Sequence, residues 1–167
     1  KYNGNITSKY QGPEIKNSMN NPNTGVGETP KLIKNKFPGE PLAKDGKVLN
    51  YTIENGKIKG INGQKEVDFV IDSKGNLVVG KKHTTLANGT DVQAAGQLKL
   101  NGQGDIRGVN NLSGHYRPSS SEAANYPELL NNAGLSTNGA TMELYDFITD
   151  ADGMVTKMTR TVTQKIK

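Results

Sequence analysis

Hydrophobic positions between residues 48 and 165 occur in short runs that alternate with polar positions and are separated by turn sequences. This pattern is typical of antiparallel strands. The clearest hairpin is predicted at Asn55-Gly56, because Asn-Gly readily adopts the positive φ angles that a two-residue turn requires. Its strands are 48–54 and 57–61. Three further hairpins are predicted, pairing 66–72 with 76–80, 93–100 with 105–109, and 142–149 with 154–165.

One helix is predicted after residue 118. Ser119 and Glu122 have the spacing of a capping box, in which each side chain accepts a hydrogen bond from an otherwise unpaired N–H group. An apolar stripe follows, formed by Ala123, Tyr126, Leu129 and Leu130. Gly134 suits the position after the helix end, while Pro127 should kink the helix or delay its start. The predicted fold class is therefore α+β, a twisted antiparallel sheet with one or a few packed helices.

Residues 1–40 differ in composition from the rest of the chain. They are rich in Asn, Gly and Pro and show no apolar periodicity, which predicts a flexible or irregular arm with a short helix around 31–36. We expect the compact domain to span 41–167 and the arm to belong to delivery. The chain begins with Lys1 and has no signal-like segment, so we expect a fragment of a longer protein or a processed product.

The composition of the chain excludes several classes of protein. The 167 residues include no cysteine, so disulfides are excluded, and no apolar run approaches the roughly 20 residues of a membrane span. The net charge of +5 favours a polyanionic partner, either nucleic acid or an acidic protein. No zinc-ligand spacing and no phosphate-binding loop is present, so neither a metal nor a cofactor is expected.

The first candidate site surrounds His83, one of two histidines in the chain. It follows the predicted strand 77–80 and stands beside Lys81 and Lys82 and before two threonines. Neighbouring lysines lower a histidine pKa, and a histidine that is neutral near pH 7 can act as a general base. The alternative is an exposed loop histidine among solvating charges.

The second candidate site lies in the segment Gly114-His-Tyr-Arg-Pro118. If this segment is extended, His115 and Arg117 point to the same face, and one anion can contact both. Tyr116 or Thr85 would then position a phosphate oxygen. The alternative is that the segment only forms a turn leading into the helix.

The last predicted strand contributes a third set of cations. Four lie after Asp152, where the chain has no acidic residue: Lys157, Arg160, Lys165 and Lys167. Arg160 and the adjacent Thr161 are candidate contacts to a phosphate backbone. A solvated edge strand protected by lysines is the alternative.

Three motifs in residues 68–167 resemble the C-terminal toxin modules of CdiA-type contact-dependent growth inhibition proteins. They are His83-Thr-Thr-Leu-Ala-Asn-Gly, Val92-Gln-Ala-Ala-Gly-Gln-Leu and Asn110-Asn-Leu-Ser-Gly-His-Tyr-Arg-Pro. The resemblance implies a barnase/EndoU/colicin/RelE-like fold, in which N-terminal helices pack on a twisted sheet that carries a metal-independent ribonuclease site. Many such toxins cut tRNA and are neutralised by an immunity protein.

Carried onto this chain, the resemblance places the motif histidines at His83 and His115, a hydroxyl at Thr84 or Thr85, and the arginine at Arg117. The residues and the resemblance together predict catalytic roles for His83, His115, Arg117 and Thr85. Substrate contacts are predicted for Lys82, Thr84, Tyr116, Arg160 and Thr161. The implied partners are RNA, most often tRNA, and an acidic immunity protein. The implied location is the C-terminal part of a larger secreted or surface-displayed bacterial protein, acting in the target-cell cytoplasm.

Two other functions remain open at this stage. An NAD-dependent ADP-ribosylating toxin would need a catalytic glutamate, for which Glu143 is the best candidate. A non-enzymatic β-rich binding module of a large surface protein would explain the hairpins and glycine-rich turns, but it assigns no task to His115 and Arg117.

Overall fold

The computed structural model describes residues 31–167. Within this range the strands are β1 (Lys47–Val48), β2 (Thr52–Glu54), β3 (Lys57–Lys59), β4 (Glu66–Asp72), β5 (Leu77–Lys81), β6 (Val92–Leu100), β7 (Ile106–Asn110), β8 (Thr141–Thr149) and β9 (Val155–Lys165). The helices are α1 (His83–Ala87), α2 (Ser120–Ala123) and α3 (Tyr126–Asn132).

Seven strands form one sheet in the order β1-β5-β4-β6-β7-β8-β9, and β2 with β3 forms a separate two-stranded sheet. Neighbours are antiparallel except β7 and β8, which are parallel. The fold is therefore α+β with a mostly antiparallel, mixed sheet, and the prediction of an entirely antiparallel sheet is wrong at this pair. The reason is topological, since parallel neighbours need a long crossover, and α2 and α3 lie in that connection.

Three predicted hairpins are confirmed by the strand pairing, and the first is confirmed in part. Its paired strands are Thr52–Glu54 and Lys57–Lys59, whereas Val48 of the predicted strand pairs with Gly80 of β5. In the first, Asn55 and Gly56 both have positive φ, 54° and 79°, as a two-residue turn requires. The hairpin signals predict correctly because they are local: turn chemistry fixes which residues of the two flanking strands pair.

One face of the sheet packs into the hydrophobic core. The buried side chains on this face include Val67, Phe69, Leu98, Val109, Met142 and Leu144. Helix α3 covers it through Leu130 and Tyr126, whose ring meets that of Phe69 edge-on at 5.7 Å. The Tyr126 hydroxyl accepts a hydrogen bond from the Ala95 N–H (3.0 Å) and donates one to the Ala95 carbonyl (2.8 Å). Side chain and strand are thereby locked together.

The opposite face is covered only in part. Helix α1 contacts β4, β5 and β6, and Leu86 lies over Gly80. Beyond α1, the register aligns four polar residues across the sheet: Asp68, Gln97, Asn110 and Glu143. Because strand side chains alternate between faces, these four share the face opposite the core. We call this polar side the open face of the sheet.

The predicted helix is present but divided. The Ser119 hydroxyl accepts the Glu122 N–H at 3.0 Å, and the Glu122 carboxylate accepts the Ser119 N–H at 2.9 Å, so the capping box is confirmed. Helix α2 nevertheless ends at Ala123, and α3 restarts with Pro127 in its first turn. Proline is tolerated there, since the first N–H groups of a helix have no intrahelical partner.

The predicted helix around 31–36 is wrong, because these residues are irregular and form a single isolated β-bridge, between Ile33 and Val92. Ile33 is buried and exchanges backbone hydrogen bonds with Val92, and the Asn35 N–H donates to Asp91. Residues 31–40 of the predicted arm therefore lie against the sheet, while its residues 1–30 fall outside the described part. No helix in the described range is long and apolar enough to cross a membrane.

Candidate functional site

His83 lies where β5 turns into α1. Lys82 makes the turn with a φ of 75°, and its N–H donates to the Asp68 carboxylate at 2.8 Å. This turn places the imidazole against β6, where Nε2 is 2.8 Å from the Gly96 carbonyl oxygen. A carbonyl only accepts hydrogen bonds, so Nε2 carries a proton. In the neutral ring, Nδ1 is then an acceptor, and it makes no hydrogen bond within the described part of the chain.

The environment of His83 favours the neutral ring. Burial lowers its pKa below the usual 6.5, against the opposing effects of the Gly96 carbonyl and of Asp68. Charge on His115 lowers it further. The predicted direction of the shift is confirmed, but the predicted cause is wrong. The Lys82 ammonium lies 3.8 Å from the Asp45 carboxylate, and burial of the imidazole, rather than lysine charge, dominates.

His115 occupies a turn between β7 and α2, and the segment 34–40 packs against it. We call this segment the strap. The His115 Nε2 lies 2.9 Å from a Glu40 carboxylate oxygen, forming an ion pair whenever the imidazole is protonated. The Phe37 ring meets the imidazole edge-on at 5.5 Å. The His115 side chain thus combines solvent access with a fixed carboxylate partner.

Residues 114–118 are not extended, so the alternative, a turn that leads into the helix, describes this segment. Residues 114–116 form a turn, and Arg117 has a φ of 43°. The Arg117 guanidinium donates to the carbonyls of Gly114 and Gly153 and lies 4.7 Å from the centre of the Phe37 ring. His115 and Arg117 therefore do share a neighbour, but it is Phe37 of the strap, and the turn conformation replaces strand alternation as the reason.

Three other predicted residues are largely turned inward. Tyr116 is fully buried, its hydroxyl donates to the Thr90 carbonyl at 2.6 Å, and burial raises its pKa to about 12. Thr84 is buried within α1. The Thr85 hydroxyl is buried and has no hydrogen-bond partner among the described residues. These side chains support the local fold, and their hydroxyls do not face solvent.

The remaining predicted contacts lie on the ribbon formed by β8 and β9. Arg160 is exposed and pairs with Glu143 at 3.2 Å, and the Thr161 hydroxyl lies 3.5 Å from the Leu144 carbonyl. Glu143, the candidate catalytic residue for ADP-ribosyl transfer, thus already forms an ion pair with Arg160. The turn of the ribbon contacts the segment that holds His115, because the Gly153 carbonyl accepts a hydrogen bond from the Arg117 guanidinium.

Sequence reasoning missed the acidic and aromatic members of this region. Glu40 and Phe37 lie on the strap, and Asp68 joins the His83 turn from β4. A further strap residue, Lys36, donates to the Tyr116 carbonyl at 2.7 Å, and burial lowers its pKa. No local signal marks these residues, since each is more than ten positions from the histidine it adjoins.

A shallow groove of 380 Å³ opens beside Asp68. Lys47 and Lys81 line it together with Glu66 and Gln64. The described residues include no group of three or more side chains suited to hold a metal ion. The chemistry available here is therefore that of histidine, carboxylate and cationic side chains.

Comparison with protein-family models, with curated proteins and with solved structures found no match to this chain. Function is therefore inferred from the residues of this chain and their arrangement. The site offers a histidine whose pKa is lowered by burial and whose Nδ1 makes no hydrogen bond to the described residues, a second histidine beside a carboxylate, and cations near both.

Proposed function

We propose that this chain is a metal-independent ribonuclease with His83 as general base and His115 as general acid. The observation that carries the proposal is that the chain's two histidines, 32 positions apart, lie in one region of the sheet. His83 contacts the Gly96 carbonyl of β6, and β6 pairs with β7, which leads into the turn that holds His115. Their surroundings differ in the direction that suits the two roles, since the His83 ring is partly buried and the His115 ring faces a carboxylate.

The proposed reaction is an internal transfer at phosphorus. Nδ1 of His83 accepts the proton of a ribose 2′-hydroxyl, and the 2′-oxygen attacks the adjacent phosphorus. The bond from phosphorus to the 5′-oxygen breaks, and protonated His115 donates a proton to that oxygen. The products are a 2′,3′-cyclic phosphate and a 5′-hydroxyl, so atoms and charge balance without a metal or cofactor.

Cationic groups would stabilise the charge that develops on the phosphoryl oxygens. Lys82 is exposed next to His83, and Arg117 adjoins His115 through the strap. Arg160 and Thr161 on β9 would hold the substrate further from the reacting bond. Tyr116, Thr84 and Thr85 are left out of direct contact, because their hydroxyls are buried.

The biological setting follows from the resemblance to CdiA-type toxins and from the +5 charge. We propose a barnase/EndoU/colicin/RelE-like toxin domain, carried at the end of a larger secreted or surface-displayed bacterial protein, that cuts tRNA in the target-cell cytoplasm. An acidic immunity protein would neutralise it by covering the cationic side of the site. Expression of the domain should then kill cells unless the immunity protein is co-expressed.

The mechanism is tested with a defined single-stranded RNA and the same sequence with 2′-deoxyribose throughout. The RNA should be cut to fragments with cyclic phosphate ends, and the deoxy strand should stay intact because it lacks the attacking hydroxyl. Substitution Arg117→Ala should slow cleavage by about 10²-fold. The control is Arg107→Ala, an exposed arginine on β7, which should leave the rate unchanged. Cleavage of the deoxy strand would contradict the mechanism.

A further inference from the structure

The β8–β9 ribbon extends past the end of β7. The last residue of β7, Asn110, pairs with Glu143, and β8 then continues to Thr149 with β9 as its one paired strand in the described structure. The Asn111 side chain accepts from the Tyr145 N–H and donates to the Tyr145 carbonyl, which holds the start of this extension in place. Among the described residues, this part of the ribbon therefore has no further strand beside it.

Two aromatic side chains lie on the open face of this ribbon. Tyr145 and Phe147 follow Glu143 at intervals of two, so all three point to the same side of β8. Both aromatic rings are partly exposed, and neither belongs to the hydrophobic core of the described residues. Aromatic side chains two positions apart on an open sheet face are a platform on which unstacked RNA bases can stack.

The neighbouring strand completes the platform with a cation and a flexible apolar side chain. Arg160 is opposite Tyr145, and Met158 is opposite Phe147. The Arg160 side chain is 55% exposed, although Glu143 pairs with it on the same face. Because strand side chains alternate, Asp146 of β8 lies on the other face, and Arg160 is a cation on the same side as the two aromatic rings, where it can contact a phosphate.

We propose that the open face of the ribbon, centred on Tyr145 and Phe147, binds single-stranded RNA by stacking two of its bases, with Arg160 on the adjoining phosphate. The inference deepens the proposed ribonuclease function by naming the substrate as an unpaired segment. A duplex does not fit this site, because its bases are already stacked on each other and present no free faces.

The platform lies within reach of the reacting bond. Gln97, Asn110 and Glu143 are in register on β6, β7 and β8, and two strand spacings amount to about 10 Å. His83 contacts the β6 residue next to Gln97, and Tyr145 is two positions beyond Glu143. Bases stacked on the ribbon would therefore belong to nucleotides close to the one whose 2′-hydroxyl attacks.

The test measures binding apart from cleavage. The probe is a short, fluorescent, single-stranded 2′-O-methyl RNA, which cannot be cut by 2′-hydroxyl attack, and binding is followed by anisotropy with the full chain. Tyr145→Ala and Phe147→Ala should each weaken binding about 5- to 100-fold. Tyr145→Phe should bind like the parent, whereas Phe147→Leu, which keeps an apolar side chain but loses the ring, should bind weakly.

Matched controls come from the other face of the same ribbon. Ile148 and Lys157 are paired opposite each other on that face, and Ile148 is 49% exposed. Ile148→Ala and Lys157→Ala should change binding by less than about twofold, since they remove comparable exposed groups from the wrong side. Circular dichroism of every variant establishes that the ribbon variants remain folded.

Each outcome separates the two proposals. Unchanged probe binding in Tyr145→Ala and Phe147→Ala overturns the inference even if the protein cuts RNA. Equal losses in the controls also overturn it, because they indicate binding by charge alone. Loss of binding confined to the open face supports it even if no RNA is cut, in which case the ribonuclease proposal fails by itself. If the Tyr145 and Phe147 variants bind the RNA probe normally but no longer bind an inhibitory acidic protein, the open face is the binding site of that protein and the inference is overturned.

Discussion

The inner strands β4–β6 and the outer ribbon β8–β9 belong to one sheet but have opposite surroundings. Phe69, Ala95 and Leu98 of the inner strands are fully buried, whereas Met158 and Ile148 of the ribbon are about half exposed. The inner strands hold His83 against the Gly96 carbonyl, and the ribbon presents Tyr145 and Arg160 outward. Burial thus fixes the proposed base, and exposure leaves the proposed substrate surface accessible.

Gly96 gives the sharpest test of this difference. A Cβ at this position would lie 1.9 Å from the Asn110 carbonyl oxygen, so the backbone of the following loop would have to move. We expect Gly96→Ala to lower the free energy of unfolding by about 3 kcal/mol, measured by urea denaturation. Gly102→Ala is the control, because a Cβ there meets nothing within 4 Å. Equal stability of the two variants would show that β6 is not tightly packed.

Removing one tyrosine hydroxyl from the inner sheet and one from the ribbon compares the stability of the two regions directly. Tyr126→Phe removes a hydroxyl that satisfies both the N–H and the carbonyl of Ala95 inside the protein, so it should cost about 1–3 kcal/mol of unfolding free energy. Tyr145→Phe removes a partly exposed hydroxyl from the ribbon and should cost less than about 0.5 kcal/mol. A reversed order would mean that the ribbon, not the inner sheet, is the more constrained region.

A further expected effect is the pH dependence of stability due to His83. Because burial lowers its pKa below 6.5, the unfolded chain binds this proton more readily than the folded protein. The resulting stability is complete above pH 6.5 and is lost as the pH falls through the folded-state pKa, by at most about 1.4 kcal/mol per pH unit. His83→Gln should flatten the stability profile just below pH 6.5.

Asp105 provides the internal reference for that profile. The Asn101 side chain and then Lys57 hold the pKa of the Asp105 carboxyl below its usual 3.8, so its contribution is lost only in more acidic solution. Asp105→Asn should therefore leave the slope just below pH 6.5 unchanged. A slope that Asp105→Asn removes and His83→Gln does not would contradict the assignment.

Sequence reasoning succeeded where structure is local. The Asn55-Gly56 turn and the Ser119 capping box each depend on residues within a few positions of one another, and both were predictable. The parallel pairing of β7 with β8 was not, because it depends on how the intervening helices pack. The pairing of Ile33 with Val92 likewise joins residues whose separation in sequence leaves no local pattern.

The residues of the candidate site likewise include some that could be predicted from the sequence and some that could not. His83 and His115 were recognisable, since histidine is rare in this chain and has a pKa suited to proton transfer. Glu40 and Phe37 were not, because residues 1–40 lack periodicity and gave no reason to place them beside His115. Tyr116 was misjudged because its burial against Thr90 depends on the turn conformation of its neighbours.

The central claim is that two histidines from distant parts of the chain form one metal-independent ribonuclease site. Its most direct test is incubation of the purified protein with total cellular RNA, with and without EDTA, followed by a denaturing gel. We predict discrete tRNA-sized fragments that persist in EDTA and fall by about 10²-fold or more in both His83→Ala and His115→Ala. Intact RNA under all conditions, or cleavage that EDTA abolishes or that neither substitution affects, would contradict the claim.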